Sequence, residues 1–142
     1  MKISSILNNK GDFVATVSPD ASVTQLLALL AEHQIGAAVV CDESEALVGI
    51  VSERDIARAA HAHGSSALDQ PVSQIMTALV VTCDREANSA ELMGLMTEKR
   101  VRHIPVVEDD QLVGIVSIGD IVKARLAELE TERDALQAYI TN

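Results

Sequence analysis

The chain reads as an α+β protein made of two copies of one β-α-β-β-α unit, with an extended helix at its C-terminal end. Three observations predict this. Residues 47–52 are LVGIVS, and residues 112–117 are LVGIVS again, 65 positions later, followed by Asp55-Ile56 in one case and Asp120-Ile121 in the other. Upstream the offset is 66, pairing Val14, Thr16, Ala21, Leu26, Leu29, Glu32 and Val40 with Val80, Thr82, Ala87, Leu92, Leu95, Glu98 and Val106. The change of offset places a one-residue indel in the acidic turn after Asp42, where turns tolerate insertions. Charge also divides evenly: 9 acids against 4 bases in residues 1–71, and 12 against 7 in residues 72–142.

Each copy supplies its elements in the same order. Residues 15–18 form a short strand-like run ended by the turn residues Pro19 and Asp20. Residues 22–34 place Val23, Leu26, Leu27 and Leu30 at helical spacing, with Gln25, Glu32 and His33 among the polar positions. Residues 37–41 and 47–51 are apolar runs flanking the acidic turn DESEA, the pattern of a hairpin. Ser52 opens a helix expected to run to about Ala60. The second copy repeats the order over residues 80–83, 90–100, 104–107, 112–116 and from Ile118 onward. The polar, Gly- and Ser-containing stretch between the copies reads as a linker. The expected divisions are residues 1–61 for the first copy with its lead-in segment and 62–71 for the linker. Residues 72–125 form the second copy and 126–142 a helical extension. Neither copy, at about 60 residues, could cover its own sheet, so the two are expected to pack together.

Composition narrows the chemistry. The chain has 142 residues, 48% apolar and 23% charged, with Phe13 and Tyr139 its only aromatics. Base stacking on exposed rings is therefore not expected. Eleven bases against 21 acids give −10, which repels nucleic-acid backbones and anionic membranes but leaves room for a small anion on a local donor cluster. No apolar run approaches a membrane span, and residues 1–13 lack a secretory pattern. Cys41 and Cys83 have no disulfide or metal spacing. A cytoplasmic protein with reduced thiols is expected.

The repeated motif is Gly-x-Val-Ser-x-x-Asp, Gly49 to Asp55 and Gly114 to Asp120. The residues alone leave two readings open. Ser-x-x-Asp after a strand is a capping-box-like helix start, with the acid complementing the helix dipole. The same geometry suits a nucleoside phosphate: free amides and a hydroxyl for phosphate, a carboxylate one turn on for both ribose hydroxyls, and Val and Ile strands for a flat base.

The tandem units, with VRHIPVV followed by LVGIVSIGD, closely resemble the cystathionine-β-synthase (CBS) domain family, and the whole chain resembles a stand-alone bacterial CBS pair, or Bateman module. Residues 3–7 and 72–77 also look like the segments that precede such repeats. The resemblance implies a pseudo-twofold pair with two clefts, binding AMP, ATP, NAD(H) or S-adenosylmethionine, and a homodimer. It implies a first cleft using Ile50, Ser52, Asp55, Thr77, Val80, Val81, Val101, Arg102 and His103, with Arg54 nearby. The second cleft would use Ile115, Ser117, Asp120, Lys10, Val14, Ala15, Ile35, Gly36 and Ala37. Arg102 and His103 would meet a phosphate in the first, where their counterparts Gly36 and Ala37 could not in the second. A regulated protein partner is implied, but no required cofactor.

Nothing in the sequence forms a catalytic constellation or phosphate-transfer loop, and a non-catalytic role is expected. Two alternatives stand beside nucleotide sensing. One is a dimerisation or interaction module with vestigial clefts; the other is a metal-ion sensor using the acidic turns at 42–45 and 108–110. His61 and His63 lack a third ligand, and no metal site is assigned to them. From Ile118 to Ile140 the helix carries Leu126, Leu129, Leu136 and Ile140 at a/d-like positions with Arg133 among them, a face suited to a partner subunit.

Overall fold

The computed structural model describes residues 1–78 and 80–141; Asn142, the expected end of the helical extension, lies outside them. The order is α1 (Ile3–Lys10), β1 (Thr16–Val17), α2 (Val23–His33), β2 (Ala37–Cys41), β3 (Leu47–Ser52) and α3 (Glu53–His63), then α4 (Ser89–Lys99), β4 (His103–Glu108), β5 (Gln111–Ser117) and α5 (Ile118–Thr141). Short 3-10 helices at Gly64–Asp69 and Val72–Gln74 lie between α3 and α4. These elements form two compact units: a continuous one, Phe13–Val81, and a split one, Met1–Asp12 with Thr82–Asn142.

In the continuous unit β1 pairs parallel with β2, and β2 pairs antiparallel with β3. Ser22 starts α2 with a reciprocal capping box: its Oγ accepts from Gln25 N at 3.1 Å, and Gln25 Oε1 accepts from Ser22 N at 2.9 Å. One face of α2 buries Val23, Leu26 and Leu30. Leu26 and Leu30 join Ala15, Ala38, Val40, Val51 and Val72 in the core. α3 runs three residues beyond the expected Ala60, because Ala62 continues a good helical run and the stop comes at Gly64, with φ 64°. The linker thus begins as helix and continues as a 3-10 turn.

In the split unit β4 and β5 form the antiparallel pair, with His103 opposite Ser117 and Pro105 opposite Ile115. The strand expected over residues 80–83 is reduced to one parallel bridge, Cys83 with Val106. Pro105 explains this. In the first copy Val39 N donates to Ala15 O at 2.9 Å. The same position in the second copy is Pro105, which has no N–H to give Val81. Only the flanking bonds remain, Cys83 N to Pro105 O at 3.1 Å and Val107 N to Cys83 O at 2.8 Å.

Each lead-in segment bonds to the repeat that does not follow it. Val23 N donates to Gln70 O (3.0 Å), Val72 N to Ala21 O (2.8 Å) and Ser73 N to Pro19 O (3.0 Å). In the split unit the counterparts are Ser89 N to Met1 O (2.9 Å), Ile3 N to Ala87 O (2.9 Å) and Ser4 N to Arg85 O (3.1 Å). Division by packing therefore exchanges the segments that division by sequence repeat keeps with their own copy.

Candidate functional site

Both copies of the motif sit where a strand hands over to a helix. In the continuous unit β3 ends at Ser52 and α3 starts at Glu53, whose N–H donates to Gly36 O at 3.0 Å. Asp55 Oδ2 accepts from Ser52 N at 2.8 Å and from the Ser52 hydroxyl at 3.2 Å. Thr77 is brought beside the strand end by a two-way bridge: Ile50 N to Thr77 O at 3.0 Å and Thr77 N to Ile50 O at 2.9 Å. Ile50, Ser52, Asp55 and Thr77 of the expected first site are thus assembled within one unit. Val80 and Val81 follow Thr77 in the same unit and are partly exposed, and Arg54 is exposed on α3.

Two residues that sequence reasoning passed over explain the motif's glycine. A Cβ at Gly49 would stand 2.5 Å from Met76 Sδ and 3.0 Å from Thr77 O; a Cβ at Gly114 would stand 2.7 Å from Leu7 Cδ2. Glycine lets the lead-in segment cross the strand in each unit. The alignment of Leu7 with Met76 within the two lead-in segments was the available signal.

In the split unit Asp120 Oδ2 accepts from Ser117 N at 2.8 Å, while Asp120 N donates to Ser117 Oγ at 3.1 Å, a complete capping box. A third donor is present. Lys10 Nζ lies 2.7 Å from Asp120 Oδ2 and 2.9 Å from Ile115 O. In the continuous unit the corresponding carbonyl, Ile50 O, takes a backbone N–H from Thr77. Here α1 continues as helix through that stretch, and the Lys10 ammonium serves Ile115 O instead. Burial alone would raise the Asp120 carboxyl, but the hydrogen bonds from Lys10 and Ser117 N, with the Lys10 charge, hold it below the usual carboxylate range.

The remaining expected residues fall as follows. Arg102 is exposed, and its carbonyl accepts from Ile118 N at 2.8 Å, repeating the Gly36–Glu53 bond. Val101 and His103 flank it at partial exposure. Val14, Ile35 and Gly36 are partly exposed, whereas Ala15 and Ala37 are buried, Ala15 within the hydrophobic core. A Cβ at Gly36 would meet the Glu53 carboxylate at 3.7 Å. That junction therefore carries an acid where the other presents Arg102.

Among the described residues, no three His, Cys, Asp or Glu side chains group so as to hold a metal ion. The acidic turn after β2 is satisfied by itself: Asp42 Oδ1 accepts from Ser44 N, Ser44 Oγ and Ala46 N. No helix of the described residues is long and apolar enough to cross a membrane.

A duplicated strand-hairpin-helix unit with a Ser-x-x-Asp junction in each copy defines a tandem α+β repeat protein as the class. The CBS domain pattern matches residues 10–62 and 72–127, and the chain belongs to the CBS domain family, carrying two such domains in tandem. It is 36% identical to the mitochondrial CBS domain-containing protein CBSX3 of Arabidopsis thaliana, over 97% of this chain and 71% of that one. The CBS-domain containing protein of Agrobacterium tumefaciens superposes with a TM-score of 0.85 at 44% identity, covering 87% of this chain and 92% of that one. Two similar structures hold ligands. A CBS domain protein of Pyrobaculum aerophilum is complexed with AMP (TM-score 0.79, 29% identity, 92% and 99% covered). The CBS domain pair of protein MJ0100 holds 5′-methylthioadenosine and S-adenosyl-L-methionine (TM-score 0.79, 26% identity, 90% and 98% covered).

Proposed function

We propose that this chain is a non-catalytic sensor that binds an adenosine compound (AMP, ATP or NAD(H)) at its Ser-x-x-Asp junctions and passes the bound state to a protein partner. The observation that carries this is the Ser52–Asp55 pair at the start of α3, with Thr77 bridged to Ile50 beside it. The ligands of the two similar structures differ in charge and in the presence of phosphate, yet all contain adenosine. A carboxylate that accepts both ribose hydroxyls suits what they share. Asp55 is assigned that role, with the Ser52 hydroxyl and α3 amides as donors to any phosphate. Ile50, Val80 and Val81 supply apolar surface for the base. Arg54, exposed on α3, is the cation this unit offers to a phosphate. Ligand binding would act by linkage, favouring the arrangement that binds it better.

The test is a thermal-shift series with AMP, ATP, NAD, NADH and S-adenosylmethionine on the chain and on Asp55→Ala. A ligand at about 100 times its Kd adds about 2.7 kcal/mol of stability, and that response should disappear in Asp55→Ala. A response unchanged in Asp55→Ala removes the ribose assignment, and no response to any ligand removes the sensor reading. For the Ser117 junction a specific observation favours the structural alternative: its carboxylate is already engaged by Lys10 and the capping box. Ile115, Ser117, Asp120 and Lys10, which stand together in the split unit, are assigned to this second, weaker site.

A further inference from the structure

The C-terminal part of α5 runs without a covering. The helix buries Ile121 and Ala124, but every described residue from Leu129 onward is exposed. A free-standing helix of that length is marginal in water. The exposed apolar residues are not scattered. Val122, Leu126, Leu129, Leu136 and Ile140 recur at alternating spacings of four and three, with Arg133 filling the one remaining position. Leu136 is 63% exposed and Ile140 79%. This is a d-a-d-a-d-a seam two and a half heptads long, spanning about 27 Å at the helical rise.

We propose that this seam pairs with the same seam of a second copy of the chain, in parallel, as a short two-stranded coiled coil. The flanking charges choose the orientation. Arg125 is a g position and Glu130 the e position five residues on, so parallel chains set Arg125 against Glu130 of the other copy, twice by symmetry. Antiparallel chains with full apolar overlap would set Glu130 against Glu130 and Glu132 against Glu132 at the centre. Arg125 already contacts Glu128 of its own helix. Its guanidinium has five donors, and its side chain is 36% exposed. Arg133, at an a position, stands beside Glu132 of the other copy in parallel chains. One charged a residue selects register and partner number at a cost in stability.

The test is disulfide capture of the full-length chain with Leu136→Cys and, separately, Ala138→Cys on the outer face, against the unsubstituted chain as baseline. Both positions are exposed, so neither change disturbs the fold. Parallel pairing brings the two 136 positions together, and Leu136→Cys should convert to covalent dimer under mild oxidation. Ala138→Cys should stay at baseline. Glu130→Lys added to Leu136→Cys should reduce the yield. The proposal is overturned if Leu136→Cys stays at baseline or if Ala138→Cys captures equally well. It is also overturned if Leu126→Cys mixed with Leu136→Cys gives the mixed dimer while neither captures itself, the antiparallel result.

Discussion

Lys10 and Asp120 are the most informative pair to perturb. They join the last turn of α1 to the first turn of α5 across 110 positions of sequence, with side chains 31% and 22% exposed. An exposed ion pair contributes about 0.2–1 kcal/mol, and a hydrogen bond to a charged group about 1.5–3 kcal/mol. A half-buried pair falls between them, so Asp120→Asn should cost about 1–2 kcal/mol, the Asn oxygen still accepting from Ser117 N. For a chain of this size that is a fall of about 4–8 °C in Tm. Lys10→Met should cost a similar amount, because it strips both Asp120 and Ile115 O of a donor. The double variant should be no worse than either single one by more than a few tenths of a kcal/mol. The pH dependence has a definite sign. The folded Asp120 carboxyl lies below its unfolded value, so its stabilisation is complete above the unfolded value of about 3.9 and is lost as pH falls through the folded one. The Tm gap between the natural chain and Asp120→Asn, followed by circular dichroism, should be constant from about pH 5 to 7 and close below about pH 4. A gap that persists at acid pH, or additive effects of the two substitutions, would refute the pairing.

Two further outcomes follow from local geometry. Gly49→Ala should destabilise by about 2 kcal/mol in urea melts, since its methyl meets the Thr77 carbonyl as well as Met76. Gly114→Ala meets only the ends of the flexible Leu7 side chain and should cost under about 1 kcal/mol; equal losses would show that the Thr77 backbone contact does not matter. Cys83, its thiol pushed up to about 12 by burial and the neighbouring Asp84 charge, should resist iodoacetamide at pH 8 in the folded chain and react on unfolding. Fast labelling of Cys83 in the folded protein would contradict that burial.

The repeat made most of the fold legible. Two copies of LVGIVS with matched upstream positions located both hairpins and all the helices that follow them, because apolar periodicity and turn chemistry agreed twice over. What stayed hidden depended on long-range pairing. Pro105 looks like any strand residue until Val39 shows which N–H its position has to donate. The lead-in segments look like prefixes to their own repeats, and only the hydrogen bonds at Ala21 and Ala87 show that each belongs with the other. For the candidate site, the Ser and Asp positions followed from the motif and Thr77 from the resemblance. The engagement of Asp120 by Lys10 could not be read locally, since 110 positions separate them.

The duplication kept backbone geometry and let charge diverge. Ile3 stands 69 positions before Val72, yet Val14 stands only 66 before Val80. The first lead-in segment therefore has three extra residues before its strand. Those residues let α1 continue to Lys10, where the second copy has a single 3-10 turn and then the extended Thr77. One length difference thus replaces a backbone N–H at the strand end with an ammonium, and the ammonium then reaches the motif's carboxylate. At the opposite end of each motif, Gly36 and Arg102 hold the same carbonyl-to-amide bond, but only Arg102 adds a positive charge. A ligand with an anionic end and a ribose would meet at Asp55 a carboxylate held only by its own Ser52, and at Asp120 one that is also ion-paired to Lys10. If both junctions bind adenosine compounds, their affinities should separate, and Lys10→Met should narrow the difference by raising the weaker one.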